Sequence, residues 1–225
     1  MNTKKYKNIK KLIKKYNFSK FNLISNYGLF SGDTNLFKTL TIYDIIKRVK
    51  NLNGDIIEFG VWNGNTSLLI KKILDIYKIK KKIYLFDHFK GLQNFHRKDA
   101  LNASKNKNMY RGNKKILKDF VKFFSLKKIS IIDKDANELK KGYFKNKKFC
   151  LVLLDVDLYK PTLKILQSVE TNICKNGLIV FDEGNSKWWP SERKAISEFL
   201  KKSKIKYKKE LVPFARQPDV ILKKI

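Results

Sequence analysis

Apolar positions along this chain follow two rhythms, short continuous runs and stripes at helical spacing, and the two alternate. The runs lie at 55–60 (DIIEFG), 82–87 (KIYLFD), 129–132 (ISII), 148–157 (KFCLVLLDVD) and 176–183 (NGLIVFDE). Their lengths and their β-branched and aromatic residues predict strands, and the run at 148–157 suits only the centre of a sheet. Helices are expected between them, at 65–78, 113–124, 135–144, 160–173 and 191–202. Pro161 falls in the first turn of its helix, where the missing N–H is harmless. Ser191 is placed as the N-cap of the last helix. Upstream, Leu36, Leu40, Tyr43, Ile46 and Val49 form the apolar stripe of a helix that follows the SGDT turn at 31–34. Ile9, Leu12, Ile13 and Tyr16 recur at helical spacing in a basic N-terminal stretch. Residues 89–112 read as irregular. Two late strands, at about 205–211 and 218–223, follow one another with no helix between them.

Strands alternating with helices imply an α/β fold, a mostly parallel sheet with helices on both faces. The closing pair implies an antiparallel hairpin at one edge. The expected division is an N-terminal helical cap or lid over 1–50 and a binding domain over 51–225. Ligands of such sheets bind outside the carboxyl ends of the strands. The stretches to inspect are therefore 58–64, 87–89, 132–135, 155–159 and 182–184, and four of the five carry an acid right at the strand end.

Composition adds less than its extremes suggest. The chain has 225 residues, enough for one α/β domain with a core. Its net charge is +31, from 51 Lys and Arg against 20 Asp and Glu. Only Arg48, Arg97, Arg111, Arg193 and Arg216 are arginine. Lys, Asn and Ile share AT-rich codons, and the lysines are spread along the whole chain. Arginine, preferred for bidentate phosphate and base contacts, is scarce. The charge therefore predicts a solvated surface and no nucleic-acid partner, with at most a weak attraction to an anionic membrane surface. No run of about 18 apolar residues exists to span a bilayer, and the N-terminus lacks the apolar core of a secretory signal. Two cysteines, Cys150 and Cys174, make no disulfide framework and predict reduced thiols in the cytoplasm.

The first strand ends in EFGVWNGNTS. A dinucleotide site needs bare glycine backbone against a pyrophosphate. Here Val61 and Trp62 fill that space between Gly60 and Gly64, and Glu58 stands two residues before the turn. An acid there repels phosphate and suits a cationic group. S-adenosylmethionine carries an ammonium and a sulfonium and no phosphate. Its carboxylate can use backbone N–H groups at a helix N-terminus, with the hydroxyls of Thr66 and Ser67 beside them. Asp87 ends the second strand, 27 residues after Gly60, where an acid can take both ribose hydroxyls.

Two carboxylate stations follow. Asp155 and Asp157 end the fourth strand, two residues apart, and Asp182 and Glu183 end the fifth. Carboxylates crowded together repel unless a cation or proton lies between them. Oxygen ligands without cysteine or clustered histidine point to a hard cation, Mg²⁺ or else Mn²⁺ or Ca²⁺. Such an ion lowers the pKa of an acceptor hydroxyl and aims it at a sulfonium methyl. Asp155 is the first choice of ligand and a candidate base, with Asp157 the second. The other reading has Asp157 capping a helix and Asp182 in a turn.

Together these stretches resemble the macrocin O-methyltransferase (TylF-like) family of class I S-adenosylmethionine-dependent methyltransferases. The shared segments are GDIIEFGVWNGNTS, LFDHFKGL, LLDVDLYKPT, GLIVFDEGN and WWPSERKAISEFL, spread over residues 54–200. The resemblance implies a Rossmann-like sheet of seven strands with an antiparallel edge strand, a homo-oligomer, and Mg²⁺-dependent methylation of a sugar hydroxyl. It assigns the metal to Asp155, Asp182 and Glu183. It assigns the cofactor to Glu58, Gly60, Trp62, Thr66, Ser67 and Asp87, with Val61, Gly64, His88, Asp135 and Asp155 around them. The family's second acid pair is Asp-Asp where this chain has Asp182-Glu183. His88 stands where a small or polar residue is commoner, and SIIDKDANEL lacks the usual glycine.

Trp188 and Trp189 follow the second acid pair and are expected to wall the acceptor, since sugars stack on aromatic faces. Either is equally suited to packing under the next helix. Tyr159 has the same two readings. His88 and His96 lie in a polar loop and are expected to face solvent. The acceptor expected is a sugar, nucleotide-sugar or glycoside from a polysaccharide or secondary-metabolite pathway. The alternatives are a catechol-type O-methyltransferase and a non-catalytic cofactor-binding scaffold. An amino-directed nucleic-acid methyltransferase is disfavoured, because DVDLY lacks the prolines of that motif.

Overall fold

The computed structural model describes residues 11, 13–19, 33–213 and 217–225. Of the cap expected over 1–50, residues 1–10, 12 and 20–32 lie outside the described part, and so do Ile9 and Leu12 of the stripe from Ile9 to Tyr16.

Seven strands form one sheet: β1 (Asp55–Phe59), β2 (Ile83–Asp87), β3 (Ile129–Asp133), β4 (Phe149–Leu154), β5 (Ile173–Phe181), β6 (Tyr207–Leu211) and β7 (Val220–Lys224). Their order is β3-β2-β1-β4-β5-β7-β6. β1 to β5 run parallel, and β7 pairs antiparallel with both β5 and β6. The order reverses between β1 and β4, so the ligand crevice is expected there. Among the described residues, five helices cover the faces: α1 (Asp33–Val49), α2 (Asn65–Ile76), α3 (Lys114–Phe123), α4 (Tyr159–Val169) and α5 (Ser191–Lys202).

Strand alternation splits the core in two. Ile57, Phe59, Val152, Leu154, Ile179 and Phe181 pack with α4 and α5 on one face. Ile56, Leu151, Leu153, Leu178 and Val180 pack with α1 and α2 on the other. Glu58 shares the parity of Ile56, so this carboxylate faces α1 and α2 rather than solvent.

Four expectations change. Helix α1 turns inward Ile42, Ile45, Ile46 and Val49, while Leu36, Leu40 and Tyr43 stay exposed. Two stripes fit the helical period, and the β-branched one fills the core. No helix forms over 135–144: only a 3-10 turn at Ala136–Glu138 is present, and Gly142 further on has φ 83°. The fourth-strand helix ends at Val169, and β5 starts back at Ile173, so the Asn176–Gly177 pair lies inside a strand. Ser191 is the first residue of α5, Pro190 occupies the cap, and the buried Ser191 Oγ has no hydrogen-bond partner.

Candidate active site

The turn after β1 is built by Asp87 at the end of β2. Its Oδ2 accepts the backbone N–H groups of Val61 (2.8 Å) and Trp62 (2.9 Å), and its Oδ1 accepts that of Phe89 (2.6 Å). One carboxylate thus clamps two strand-end turns together. Gly60 has φ +82°, and a Cβ there would meet the Asp155 carbonyl oxygen at 1.7 Å. Glycine is required because the turns after β1 and β4 touch. Gly64 caps α2 with φ +88°, again a left-handed conformation that glycine adopts freely, and a Cβ there would also meet Leu117 Cδ1 of α3 at 2.4 Å.

Above these turns lies a cleft of about 430 Å³. Gly60, Trp62, Asp87, His88, Asp135 and Asp155 of the expected cofactor set line it, as do Asp157, Asp182 and Glu183. Glu58, Val61, Gly64, Thr66 and Ser67 are not among its lining. Val61 and Ser67 are buried in the core, and Glu58 and Thr66 border a small cavity beneath Asp155 and Asp182. Glu58 is 3 % exposed and accepts a hydrogen bond from the Ser67 hydroxyl. Burial pushes its pKa up to about 7, against the pull of Ser67 and Lys38.

The acid stations sit where the strand register puts them. Leu154 pairs with Phe181, so the next residues, Asp155 and Asp182, lie side by side. Burial and repulsion from Asp182 and Asp157 raise the Asp155 pKa well above the usual carboxylate range. Its side chain remains 37 % exposed, so cleft water tempers that rise. Burial, with repulsion from Glu183 and Asp182, lifts Asp157 to about 7.

The cation beside this pair comes from the chain. Lys38 of α1 places Nζ 3.1 Å from Asp182 Oδ1 and 3.9 Å from Asp155 Oδ2. Burial pulls the Lys38 pKa down, but the attraction of Asp182 and Asp155 outweighs it and leaves the pKa raised. Glu183 lines the same cleft, its Oε1 accepting from Gln217 Nε2 at 2.9 Å. Among the described residues, no group of three or more His, Cys, Asp or Glu side chains is arranged to hold a metal ion. The expected trio of Asp155, Asp182 and Glu183 therefore does not converge as such. Hard oxygens and mutual repulsion suit a divalent cation chemically, but the position between Asp155 and Asp182 is taken up by Lys38.

The expected acceptor residues lie elsewhere. Trp188 is 94 % exposed and is not part of the cleft lining. The Trp189 indole N–H donates to the Asp157 carbonyl, holding that residue at φ 60°. Tyr159 is buried, with its hydroxyl donating to Glu198, and His96 stacks on its ring at 5.0 Å between centroids. His96 is thus a packing residue. His88 does line the cleft, with Nδ1 accepting the Lys90 N–H at 3.0 Å. No side chain of the chain's own turn caps α4. Asp99, from the loop at 89–112, accepts the Tyr159 N–H at 2.7 Å.

Sequence reasoning passed over four residues. Lys38 falls four residues before Ile42 on the buried stripe of α1, a signal that the period carried. Glu192 is 1 % exposed and accepts the backbone N–H groups of Glu183 (3.0 Å) and Val156 (3.4 Å), tying the ends of β5 and β4 together. It precedes the buried Ala195, Ile196 and Phe199 at helical spacing. Asn137 lines the cleft and has a buried Oδ1 with no partner. Gln217, which orients Glu183, had no sequence signal.

A glycine turn at the switch point, an acid closing β2 and acids closing β4 and β5 define the Rossmann-like methyltransferase class. The sequence profile of the macrocin-O-methyltransferase (TylF) family matches residues 37–212, and the chain belongs to that family of O-methyltransferases. The chain is similar to the crystal structure of CalS11, a calicheamicin methyltransferase, with a TM-score of 0.81 and 21 % identity over 98 % of this chain and 91 % of that one. It is also similar to apo CalS11, described as a TDP-rhamnose 3'-O-methyltransferase, with a TM-score of 0.72 and 21 % identity over 98 % and 93 %. The O-methyltransferase NovP follows at 0.65 and 18 % over 84 % and 79 %. At these identities the likeness is one of fold. No curated protein matches the chain.

Proposed function

We propose that this enzyme transfers the methyl group of S-adenosylmethionine to a hydroxyl of a sugar, in a nucleotide-sugar or glycoside. The observation that carries the reading is the meeting, in one cleft, of the Gly60–Trp62 turn with the Asp155–Asp157 and Asp182 carboxylates. The turn presents no bare path for a pyrophosphate, and the acids suit a sulfonium. On this reading the ribose hydroxyls lie beside Asp87, which lines the cleft, and Asn137 Oδ1 is an orphaned acceptor suited to the amino group of adenine. The solved relative described as a TDP-rhamnose 3'-O-methyltransferase supports the sugar acceptor.

In the reaction, the acceptor oxygen attacks the sulfonium methyl, the C–S bond breaks, and S-adenosylhomocysteine leaves. The hydroxyl proton passes to a carboxylate. Asp157, held near neutral pKa and strapped by Trp189, is placed for that role; Asp155 is the second candidate. The thiols of Cys150 and Cys174 are free, in keeping with a cytoplasmic setting. Among the described residues no helix is long and apolar enough to cross a membrane.

The test is methyl-labelled S-adenosylmethionine offered with nucleotide-deoxysugars, glycosides and catechol, after chelation and after adding Mg²⁺. Label in a sugar product supports the reading. Label only in catechol replaces it with the aromatic-diol reading. Cofactor binding with no transfer to any acceptor class favours the scaffold reading.

A further inference from the structure

The stretch between β2 and α3 closes on itself. The Leu92 N–H donates to the Met109 carbonyl (2.9 Å), the Asn108 N–H to the Leu92 carbonyl (3.0 Å), and Gln93 Nε2 to Asn108 Oδ1 (2.6 Å). Gly91, at φ +74°, lets these backbones meet, since a Cβ there would lie 2.4 Å from the Met109 carbonyl oxygen. Gly91, Leu92, Gln93 and Tyr110 line the cleft, so the neck of this loop is one of its walls.

The tip of the loop is fastened elsewhere. Asp99 is buried. Its Oδ2 accepts the His96 N–H at 2.6 Å and its Oδ1 accepts the Tyr159 N–H at 2.7 Å, at the start of α4. The His96 ring stacks on Tyr159. Lys98 Nζ donates to the Tyr159 hydroxyl (2.8 Å) and to Glu198 of α5 (2.6 Å), and Lys194 Nζ donates to the Lys98 carbonyl (2.8 Å). The loop therefore leaves the end of β2 and is tied to the helices that follow β4 and β5.

Tyr159 is two residues past Asp157, which holds φ 60°, a left-handed conformation unfavourable for any residue but glycine. The segment is pinned residue by residue. The Val156 carbonyl accepts the Leu158 N–H at 2.7 Å, Trp189 holds the Asp157 carbonyl, and Asp99 holds the Tyr159 N–H. A serine or aspartate at position 158 would cap α4 locally. Leu158 stands there instead, and the cap comes from a residue 60 positions upstream. A cap from the loop does what a local one cannot: it joins the cleft wall to the acid.

We propose that Asp99 is a positioning residue for methyl transfer. It locks the neck of the loop to the backbone that carries Asp157, and the acceptor is held between the two. Asp99 touches neither cofactor nor acceptor; it fixes the distance between the wall and the carboxylate that takes the proton. The inference rests on the reading of the cleft as a methyltransferase site with Asp157 as proton acceptor.

Wild type, Asp99→Ala, Asp99→Asn and Lys98→Ala test it by three readouts: amide hydrogen exchange, calorimetric titration of S-adenosylmethionine, and kinetics with the nucleotide-deoxysugar or glycoside that wild type labels. In Asp99→Ala, exchange at the neck amides of Leu92 and Asn108 is expected to speed up about tenfold or more, because the tip no longer holds the loop. Its kcat/KM for the acceptor is expected to fall about tenfold or more, through a higher KM and a lower kcat, since a small misplacement of reacting groups is enough. Cofactor affinity is expected to stay as in wild type. Asp99→Asn keeps one oxygen acceptor and is expected to fall between wild type and Asp99→Ala. If Asp99→Ala does not fold, Lys98→Ala decides, because it loosens the tip and leaves the cap of α4 in place; its neck exchange and acceptor KM are expected to rise. A lower melting temperature with neck exchange and acceptor kinetics unchanged makes Asp99 a helix cap only and overturns the proposal. An equal loss of cofactor affinity overturns it too, because the neck would then serve the cofactor. If wild type binds S-adenosylmethionine but labels no sugar, the sugar reading falls, while an unchanged neck in both variants sinks the tether alone.

Discussion

A Cβ on Gly60 would lie 1.7 Å from the carbonyl oxygen of Asp155, so the turn after β1 and the first acid station are in direct backbone contact. Gly60→Ala must push the ends of β1 and β4 apart and also hold φ +82°. It is expected to cost about 2–4 kcal/mol. Thermal unfolding checks the loss, and cofactor titration of any folded fraction is expected to show weakened binding. An alanine variant with wild-type melting would contradict this contact.

Asp87 offers both oxygens to backbone N–H groups of two turns. Asp87→Asn replaces one acceptor with an amide NH2 that faces an N–H. The turn at 60–62 loosens, and affinity for S-adenosylmethionine is expected to fall by about 1–3 kcal/mol. Calorimetric titration reads the change, with melting temperature as the control.

Glu58 gives the protein a pH dependence with a definite sign. Its pKa rises from 4.5 in an exposed carboxyl to about 7 in the fold. Between those values the native state keeps a proton that the unfolded chain has lost. Stability is therefore greatest below about pH 4.5 as far as this group goes, and falls as pH rises towards 7. At about 1.4 kcal/mol per unit, the loss amounts to about 3 kcal/mol. Glu58→Gln has no charge to bury. Denaturant melts at pH 5 and pH 8 are expected to differ less in this variant than in wild type. An unchanged difference would mean that Glu58 does not titrate in this window.

Trp189→Phe keeps an aromatic ring, smaller than the indole, and loses the hydrogen bond to the Asp157 carbonyl. The Asp157 loop is expected to relax at a cost of about 1 kcal/mol. The effect should fall on kcat for methyl transfer and leave cofactor affinity alone. Trp188→Ala, at a site 94 % exposed, should change neither.

The strand ends were legible because parallel strands buried on both faces read as unbroken apolar runs, and four of the five runs stopped at an acid. Asp155 and Asp182 could thus be placed side by side from sequence. The face of α1 could not. Leu36, Leu40 and Tyr43 fit the helical period as well as Ile42 and Ile45 do, and only packing chose between them. That choice brings Lys38 to the acids. The partner of Glu183 was not legible either: its carboxylate accepts from Gln217, a residue 34 positions away along the chain. The segment at 135–144 has helical composition, but a 3-10 turn and the left-handed Gly142 replace the helix. Trp188 and Trp189 look alike in sequence, and only the position of the Asp157 carbonyl separates a surface ring from a strap.

Calorimetric titration of S-adenosylmethionine into the wild-type protein and Asp87→Asn is the most direct test of the account. Saturable binding at one site per chain, weakened in Asp87→Asn, is the predicted result. Absence of binding, or binding of equal strength in the variant, would contradict the placement of the cofactor in this cleft.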